Sequence, residues 1–164
     1  MDHIQVKGAL FDLDAVLENP EAKTVKGVMY ADNLLVRLSC HKCAVVVADG
    51  KLTQAQTKCK QASLLMPRRV VTASDVAKGK PRSEYYKAAA ALLNIEAKEA
   101  LVFVGSAEGL LAAKEAGAQV VAICKTPDMR KRLEEAGAIY MVEDYSCIRV
   151  SEDDNDMLVF RVLE

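Results

Sequence analysis

GALFDLDAVL, residues 8–17, is the stretch that decides the fold class of this chain of 164 residues. It begins as an apolar run of strand length, residues 8–13, with two acids, Asp12 and Asp14, at its carboxyl end. Residues two apart in an extended chain point to the same side, so both carboxylates should face one crevice. Open α/β sheets bind ligands outside the carboxyl ends of their strands. The stretch therefore predicts a buried strand that ends in a functional site.

The two aspartates would destabilise the fold if they had only a structural role, because converging carboxylates repel each other unless they share a proton or a cation. A divalent cation would bind such hard oxygen ligands. One aspartate would then act as a nucleophile toward phosphorus or carbon, and the other would donate and accept a proton. The alternative is a solvated pair of loop acids that follows a strand.

The rest of the chain alternates short apolar runs with longer segments of helical period, which is typical of a parallel sheet covered on both faces. We predict strands over residues 8–13, 44–48, 69–72, 100–104, 119–123 and 139–142. We predict helices over residues 31–38, 53–63, 83–93, 107–116 and 127–136. The predicted fold class is α/β, a three-layer Rossmann-like domain with helices on both faces of the sheet.

Composition indicates a globular domain, since 51% of the residues are hydrophobic and 27% are charged. The 22 basic and 23 acidic residues leave a net charge of -1, which disfavours nucleic-acid and anionic-membrane partners. No apolar run approaches the roughly 20 residues that span a bilayer. We therefore predict a cytoplasmic protein.

The five cysteines, at positions 40, 43, 59, 124 and 147, are odd in number and scattered, which predicts free thiols. Cys40 and Cys43 have the CxxC spacing of a zinc or redox half-site, without a second pair. The alternative is that these two cysteines end a helix and start a strand.

Three segments resemble motifs of the haloacid dehalogenase (HAD) superfamily, in its β-phosphoglucomutase-like branch. FDLDAVL, residues 11–17, resembles the first motif, a hydrophobic strand followed by DxDx(T/V). KGKPRSEYYKAAAALLNI, residues 78–95, resembles the third, in which a lysine precedes proline and a helix follows. ALVFVGSAEGLLAAKEAGAQVVAI, residues 100–123, resembles the fourth. The resemblance covers the chain up to about Tyr145 and implies a HAD-like core.

The resemblance also implies roles for individual residues. Asp12 would form an aspartyl intermediate, and Asp14 would act as general acid and base. Lys80, just before Pro81, would offset negative charge and contact the phosphoryl group. The family's magnesium would bind the Asp12 carboxylate, the backbone carbonyl of Asp14 and an acid of the fourth motif. Ser106 begins a predicted helix and could donate to an anion there or simply cap the helix.

The sequence departs from the family pattern in two motifs. Val104 and Gly105 stand where the fourth motif carries acids, so a metal ligand is missing. The second motif ends in Ala48, where a serine or threonine hydroxyl would hold phosphate. Asp49 and Glu108 are the neighbouring acids that could complete a weakened magnesium site, although both are more commonly surface residues.

The spacing of the motifs leaves no room for a cap domain, which predicts an open crevice suited to a macromolecular substrate or to a partner. We predict a core domain over residues 1–146 and an extension over 147–164, where two β-like runs around an acidic turn at 151–156 indicate a terminal hairpin or extra edge strands. The predicted function is a phosphomonoester phosphatase with an aspartyl-phosphate on Asp12. The alternative is a catalytically impaired relative that binds a protein partner or a phosphorylated ligand.

Overall fold

Nine strands form two sheets in the computed structural model, which describes residues 2–38, 42–48 and 50–163. The strands are β1 (Asp2–Val6), β2 (Gly8–Asp12), β3 (Cys43–Val46), β4 (Val70–Val71), β5 (Ala100–Val104), β6 (Gln119–Ile123), β7 (Tyr140–Val142), β8 (Ile148–Glu152) and β9 (Leu158–Val162). Six of them make a parallel sheet in the order β4-β3-β2-β5-β6-β7. This sheet confirms the predicted α/β class, and β2, which carries the aspartates, lies inside it.

Helices cover both faces of the parallel sheet. They are α1 (Leu13–Val16), α2 (Ala31–Leu38), α3 (Leu52–Gln61), α4 (Ser83–Leu92), α5 (Ala107–Glu115) and α6 (Pro127–Glu135). Alternate strand residues point to opposite faces. Phe11 and Phe103 therefore join an apolar cluster with α1, α2 and α3, while Leu10 and Val102 join a second cluster with α4, α5 and α6. The helix patterns in the sequence thus locate the five longer helices to within two residues at each end.

The second sheet is antiparallel, in the order β1-β9-β8. β8 and β9 are the predicted terminal hairpin, and this part of the fold prediction is confirmed. β1 was not predicted. Among residues 3–6, whose burial the structure describes, Ile4 and Val6 are buried, and this pattern is too short to distinguish a strand from a polar leader. The division of the chain at residue 146 stays a prediction.

An aromatic cluster joins the antiparallel sheet to the parallel one. Phe103 stacks on Phe11 with ring centroids 4.7 Å apart and meets the edge of Phe160, from β9, at 5.6 Å. The Tyr145 ring lies 5.5 Å from that of Phe103, and its hydroxyl donates to the Ala15 carbonyl oxygen at 2.9 Å. The C-terminal hairpin therefore shares the hydrophobic core of the main sheet.

The acidic turn of the hairpin is held by its own backbone. The Asp153 carboxylate accepts hydrogen bonds from the amides of Asn155 and Met157, at 2.9 and 3.0 Å. Asp156 adopts a left-handed conformation, with φ of 62°, and its carboxylate lies 3.2 Å from the Lys42 ammonium. These contacts fit the acidic turn that the sequence predicts at 151–156.

Three further features bear on the sequence predictions. Between β2 and β3, the described residues form α1, α2 and connecting loops, without a separate cap domain. The Cys43 thiol donates to the Leu38 carbonyl oxygen at 3.2 Å, whereas Cys40 and His41 lie outside the described residues. No helix within the described ranges combines the length and the apolar character needed to cross a membrane.

Candidate active site

Asp12 and Asp14 lie at the carboxyl end of β2, in the middle of the parallel sheet. Asp12 is the last residue of the strand and is only 1% exposed, whereas Asp14 lies in the first turn of α1 with 31% of its side chain exposed. Both line a small cleft of about 80 Å³, whose other lining residues include Ala48, Lys58 and Arg82. We call this the Asp12 cleft.

Arg82 bridges the two aspartates. One guanidinium nitrogen, Nη2, lies 3.2 Å from Asp12 Oδ2 and 3.7 Å from Asp14 Oδ2. Tyr86 follows four residues later, one helical turn along α4, and its hydroxyl donates to Asp12 Oδ2 at 2.5 Å. Arg82 Nε also donates to this hydroxyl, at 3.3 Å. The start of α4 therefore supplies both a cation and a hydrogen-bond donor to the pair.

The electrostatics of the site follow from burial. Burial, assisted by the charge of Asp14, raises the pKa of Asp12 to about 7, although Arg82 and Tyr86 act in the opposite direction. Burial also raises the pKa of Tyr86, so its phenol stays protonated and donates. Burial lowers the pKa of Arg82, but Asp12 and its neighbours outweigh that effect and the net shift is upward. Arg82 thus remains a permanent cation beside a carboxyl group that titrates near neutrality.

One carboxylate oxygen of Asp12 has no hydrogen-bond partner. Asp12 Oδ1 is buried and contacts no donor among the described residues, whereas Oδ2 has two. A buried acceptor without a partner costs about 1–3 kcal/mol, so such atoms are uncommon outside functional sites. One oxygen of Asp12 is therefore covered by its neighbours but not engaged by any described donor.

Lys80 does not reach the aspartates in this structure. Its side chain is exposed and forms no ion pair with a described residue, and Arg82 makes the contact that the resemblance assigns to Lys80. Lys58, on α3, is a second cation at the Asp12 cleft and likewise has no ion-pair partner within the described ranges. The role of Lys80 stays a prediction. The sequence analysis did not identify Arg82 or Lys58 as residues of the site.

The loop after β5 packs tightly against Asp14. Ser106 accepts a hydrogen bond from the Gly109 amide at 3.0 Å, so it caps α5, as one reading of the sequence predicted. The Gly105 amide donates to Asp14 Oδ1 at 3.1 Å. Glu108 is exposed on the neighbouring surface, and Asp49 lies outside the described residues. The loop therefore positions Asp14 through backbone contacts.

Gly105 leaves no room for a side chain. A Cβ at this position would lie 2.4 Å from the Asp14 carbonyl oxygen, which is backbone and cannot rotate away. We expect Gly105→Ala to lower the free energy of unfolding by about 2 kcal/mol, as overpacking does. Gly27→Ala is the matched control, because its Cβ would meet only the flexible Leu64 side chain, at 3.1 Å. Urea denaturation of both variants measures the effect, and equal stabilities would contradict the close packing.

Lys125 is a third cation of the site that the sequence interpretation missed. It follows β6, and its ammonium donates to two backbone carbonyl oxygens, those of Asp14 and of Leu17, the latter at 2.6 Å. Burial lowers the pKa of Lys125, while Asp14 and Glu18 act in the opposite direction. The ammonium therefore binds the Asp14 carbonyl oxygen, the backbone atom that the resemblance implies as a magnesium ligand.

The residues around Asp12 do not fit a magnesium ion. Octahedral magnesium needs six oxygen ligands in near-ideal geometry. Here the Asp14 carbonyl oxygen accepts from Lys125, and Gly105 has no side chain. Glu108 is exposed and lines a neighbouring cavity with Asp14. No cluster of three or more potential metal ligands exists within the ranges that the structure describes. The site therefore lacks the fourth-motif acids, and its Asp14 carbonyl oxygen is already bound by Lys125.

A comparison with protein families adds an independent finding to this geometry. The model of the haloacid dehalogenase-like hydrolase family matches residues 34–123, more than half of the chain. The chain belongs to this family. The match spans β3 to β6 and includes Lys80, Arg82 and Ser106, whereas Asp12 and Asp14 lie before it.

Two curated relatives of this HAD-like chain are phosphatases. It is 36% identical over 116 residues to validoxylamine A 7'-phosphate phosphatase of Streptomyces hygroscopicus subsp. limoneus, covering 70% of this chain and 53% of the relative. It is 30% identical over 127 residues to hexitol phosphatase A of Escherichia coli (strain K12), covering 75% and 58%. The chain therefore spans somewhat more than half the length of each.

Solved structures share the HAD-like fold. A HAD family hydrolase from Deinococcus radiodurans R1, with bound phosphate and sodium, superposes with a TM-score of 0.72 and 18% identity, over 86% of this chain and 92% of that one. A β-phosphoglucomutase from Clostridium difficile gives a TM-score of 0.62 and 12% identity, over 85% and 91%. The superfamily predicted from the sequence is thus confirmed by the family match, and these structures share its fold.

Proposed function

We propose that the chain hydrolyses phosphate monoesters, with Asp12 as the nucleophile. The observation that carries this proposal is the free oxygen of Asp12, held next to Asp14 and Arg82 at the edge of the sheet where this fold places ligands. The phosphatase names of two relatives support the substrate class. The specific ester stays open, since the chain spans only part of those relatives.

In the proposed reaction, the ionised Asp12 carboxylate attacks phosphorus and the bond between phosphorus and the ester oxygen breaks. Asp14 gives its proton to the departing alcohol. The aspartyl-phosphate on Asp12 is then hydrolysed by a water whose proton returns to Asp14, and inorganic phosphate leaves. Arg82 offsets the charge on the aspartates and the phosphoryl group in the place that the resemblance gives to Lys80. Ser106 and Lys58 are proposed phosphate contacts.

Binding without turnover is the second candidate function. Asp12 Oδ2 is engaged by both Tyr86 and Arg82, and the pKa of Asp12 near 7 keeps much of the carboxyl group protonated at neutral pH. Ala48 also lines the cleft with a methyl group instead of a hydroxyl. These features favour a member of the family that holds a phosphorylated ligand or a protein partner.

The cytoplasmic location stays a prediction.

Hydrolysis of 4-nitrophenyl phosphate by Asp12→Asn tests the proposed function. The amide keeps the shape of the carboxylate but is not a nucleophile, so we expect kcat to fall about a thousandfold. Asp32→Asn is the matched control, because Asp32 is an exposed acid in the first turn of α2. Equal rates for Asp12→Asn and wild type would contradict the proposal. Phosphate binding by a wild type without turnover would favour the second candidate.

A further inference from the structure

The aspartate pair already has two cations of its own. Arg82 contacts both carboxylates, and the Lys125 ammonium donates to the backbone of Asp14. When both carboxyl groups are ionised, their two negative charges face two positive charges, so the pair has its counter-charge before any ligand binds. A pair of converging acids needs such a counter-charge, which a metal ion supplies in many sites.

The residues beside this pair offer few ligands to a divalent cation. To bind the Asp14 carbonyl oxygen, the ion would have to displace the Lys125 ammonium, which also holds the Leu17 carbonyl oxygen at 2.6 Å. It would then have the Asp12 carboxylate as its one buried acidic ligand, because Gly105 offers no side chain. Placing a double positive charge next to Arg82 and Lys125 would add repulsion between like charges.

We infer that Arg82 and Lys125 take the place of a divalent cation, so that a phosphate group binds at the Asp12 cleft without magnesium. This inference rests on the proposed function, which identifies a phosphate monoester as the ligand. Lys58 lines the same cleft and has no ion-pair partner among the described residues, so it leaves one further positive charge for the phosphate. Pre-organised ammonium and guanidinium groups stabilise a phosphoryl group through charge-assisted hydrogen bonds.

Calorimetric titration of the wild type with inorganic phosphate tests this inference without depending on turnover. We expect the same affinity, within about twofold, in buffer with EDTA and in buffer with magnesium chloride. Magnesium titrated alone should produce no binding heat. An affinity that falls about tenfold or more in EDTA would overturn the inference while leaving the proposed function intact. Absence of phosphate binding in both buffers would overturn the proposed function and, with it, the inference.

The variant Lys125→Met tests the cation directly. We expect its affinity for phosphate in EDTA to fall about tenfold, the size expected when one charge near a phosphoryl group is lost. Lys131→Met is the matched control, because Lys131 is an exposed lysine of α6 that forms no ion pair with a described residue. Circular dichroism shows whether Lys125→Met folds. If it does not fold, the titrations of the wild type in EDTA and in magnesium chloride decide whether phosphate binding needs the metal. Unchanged affinity in folded Lys125→Met would overturn the role of this lysine.

Discussion

The variant Phe103→Ala should lose about 3–5 kcal/mol of unfolding free energy, the cost usual for truncating a fully buried phenylalanine. Phe103 is 0% exposed and lies at the centre of the aromatic cluster. Its ring touches Phe11 from β2 and Phe160 from β9, with centroids 4.7 and 5.6 Å away. Removing the ring therefore leaves a cavity between the two sheets and weakens the attachment of the C-terminal hairpin.

Chemical denaturation, followed by circular dichroism, measures this loss. Leu111→Ala is the matched control, because Leu111 lies on α5 with 55% of its surface exposed and should change stability by less than about 0.5 kcal/mol. A loss below about 1 kcal/mol in Phe103→Ala would show that the ring does not join the two sheets.

The stability of the variant Asp12→Asn relative to the wild type should increase as pH rises. Burial and Asp14 raise the pKa of Asp12 from 3.8 to about 7, so the folded protein holds a proton there that the unfolded chain releases. The stability contributed by this proton is complete below about pH 4 and is lost as pH rises through 7. A shift of about three units corresponds to at most about 4 kcal/mol. Asparagine does not titrate, so the unfolding free energy of the variant does not fall with pH for this reason.

Unfolding free energies of both proteins between about pH 4 and pH 8 measure the difference. We expect the advantage of Asp12→Asn over the wild type to grow by several kcal/mol across this range. Taking the difference removes any constant cost of the asparagine amide. Asp32→Asn, at an exposed acid, should show no such growth. A constant difference across the range would mean that Asp12 is ionised throughout, as an ordinary surface acid would be.

The main sheet was predictable because its strands are buried on both faces and read as continuous apolar runs. β5 and β6 were located to the residue for this reason. The helix predicted from residue 127 begins there, since the Thr126 hydroxyl accepts from the Met129 amide and caps it. β1 was not predictable in the same way. Its pairing with β9 joins residues at opposite ends of the chain, and nothing local in the sequence specifies that partner.

The candidate site was predictable only in part. Asp12 and Asp14 could be found because they are neighbours in sequence at a strand end. Arg82 and Lys125 could not, because they lie 70 and 111 residues from the aspartates they contact. The lysine before proline resembles a family motif, but the direction of each side chain depends on how α4 begins, and here Arg82 points to the pair. Lys125 could have been considered because it follows a parallel strand at the same edge of the sheet.

A crystal structure of the protein grown with magnesium chloride and inorganic phosphate would show directly whether Arg82 and Lys125 replace a metal ion beside the aspartates. We predict phosphate in the Asp12 cleft, within hydrogen-bond distance of Arg82 or Lys58, with the Lys125 ammonium still hydrogen-bonded to the carbonyl oxygen of Asp14. A hydrated metal ion bound to that carbonyl oxygen, with Lys125 displaced into solvent, would contradict it.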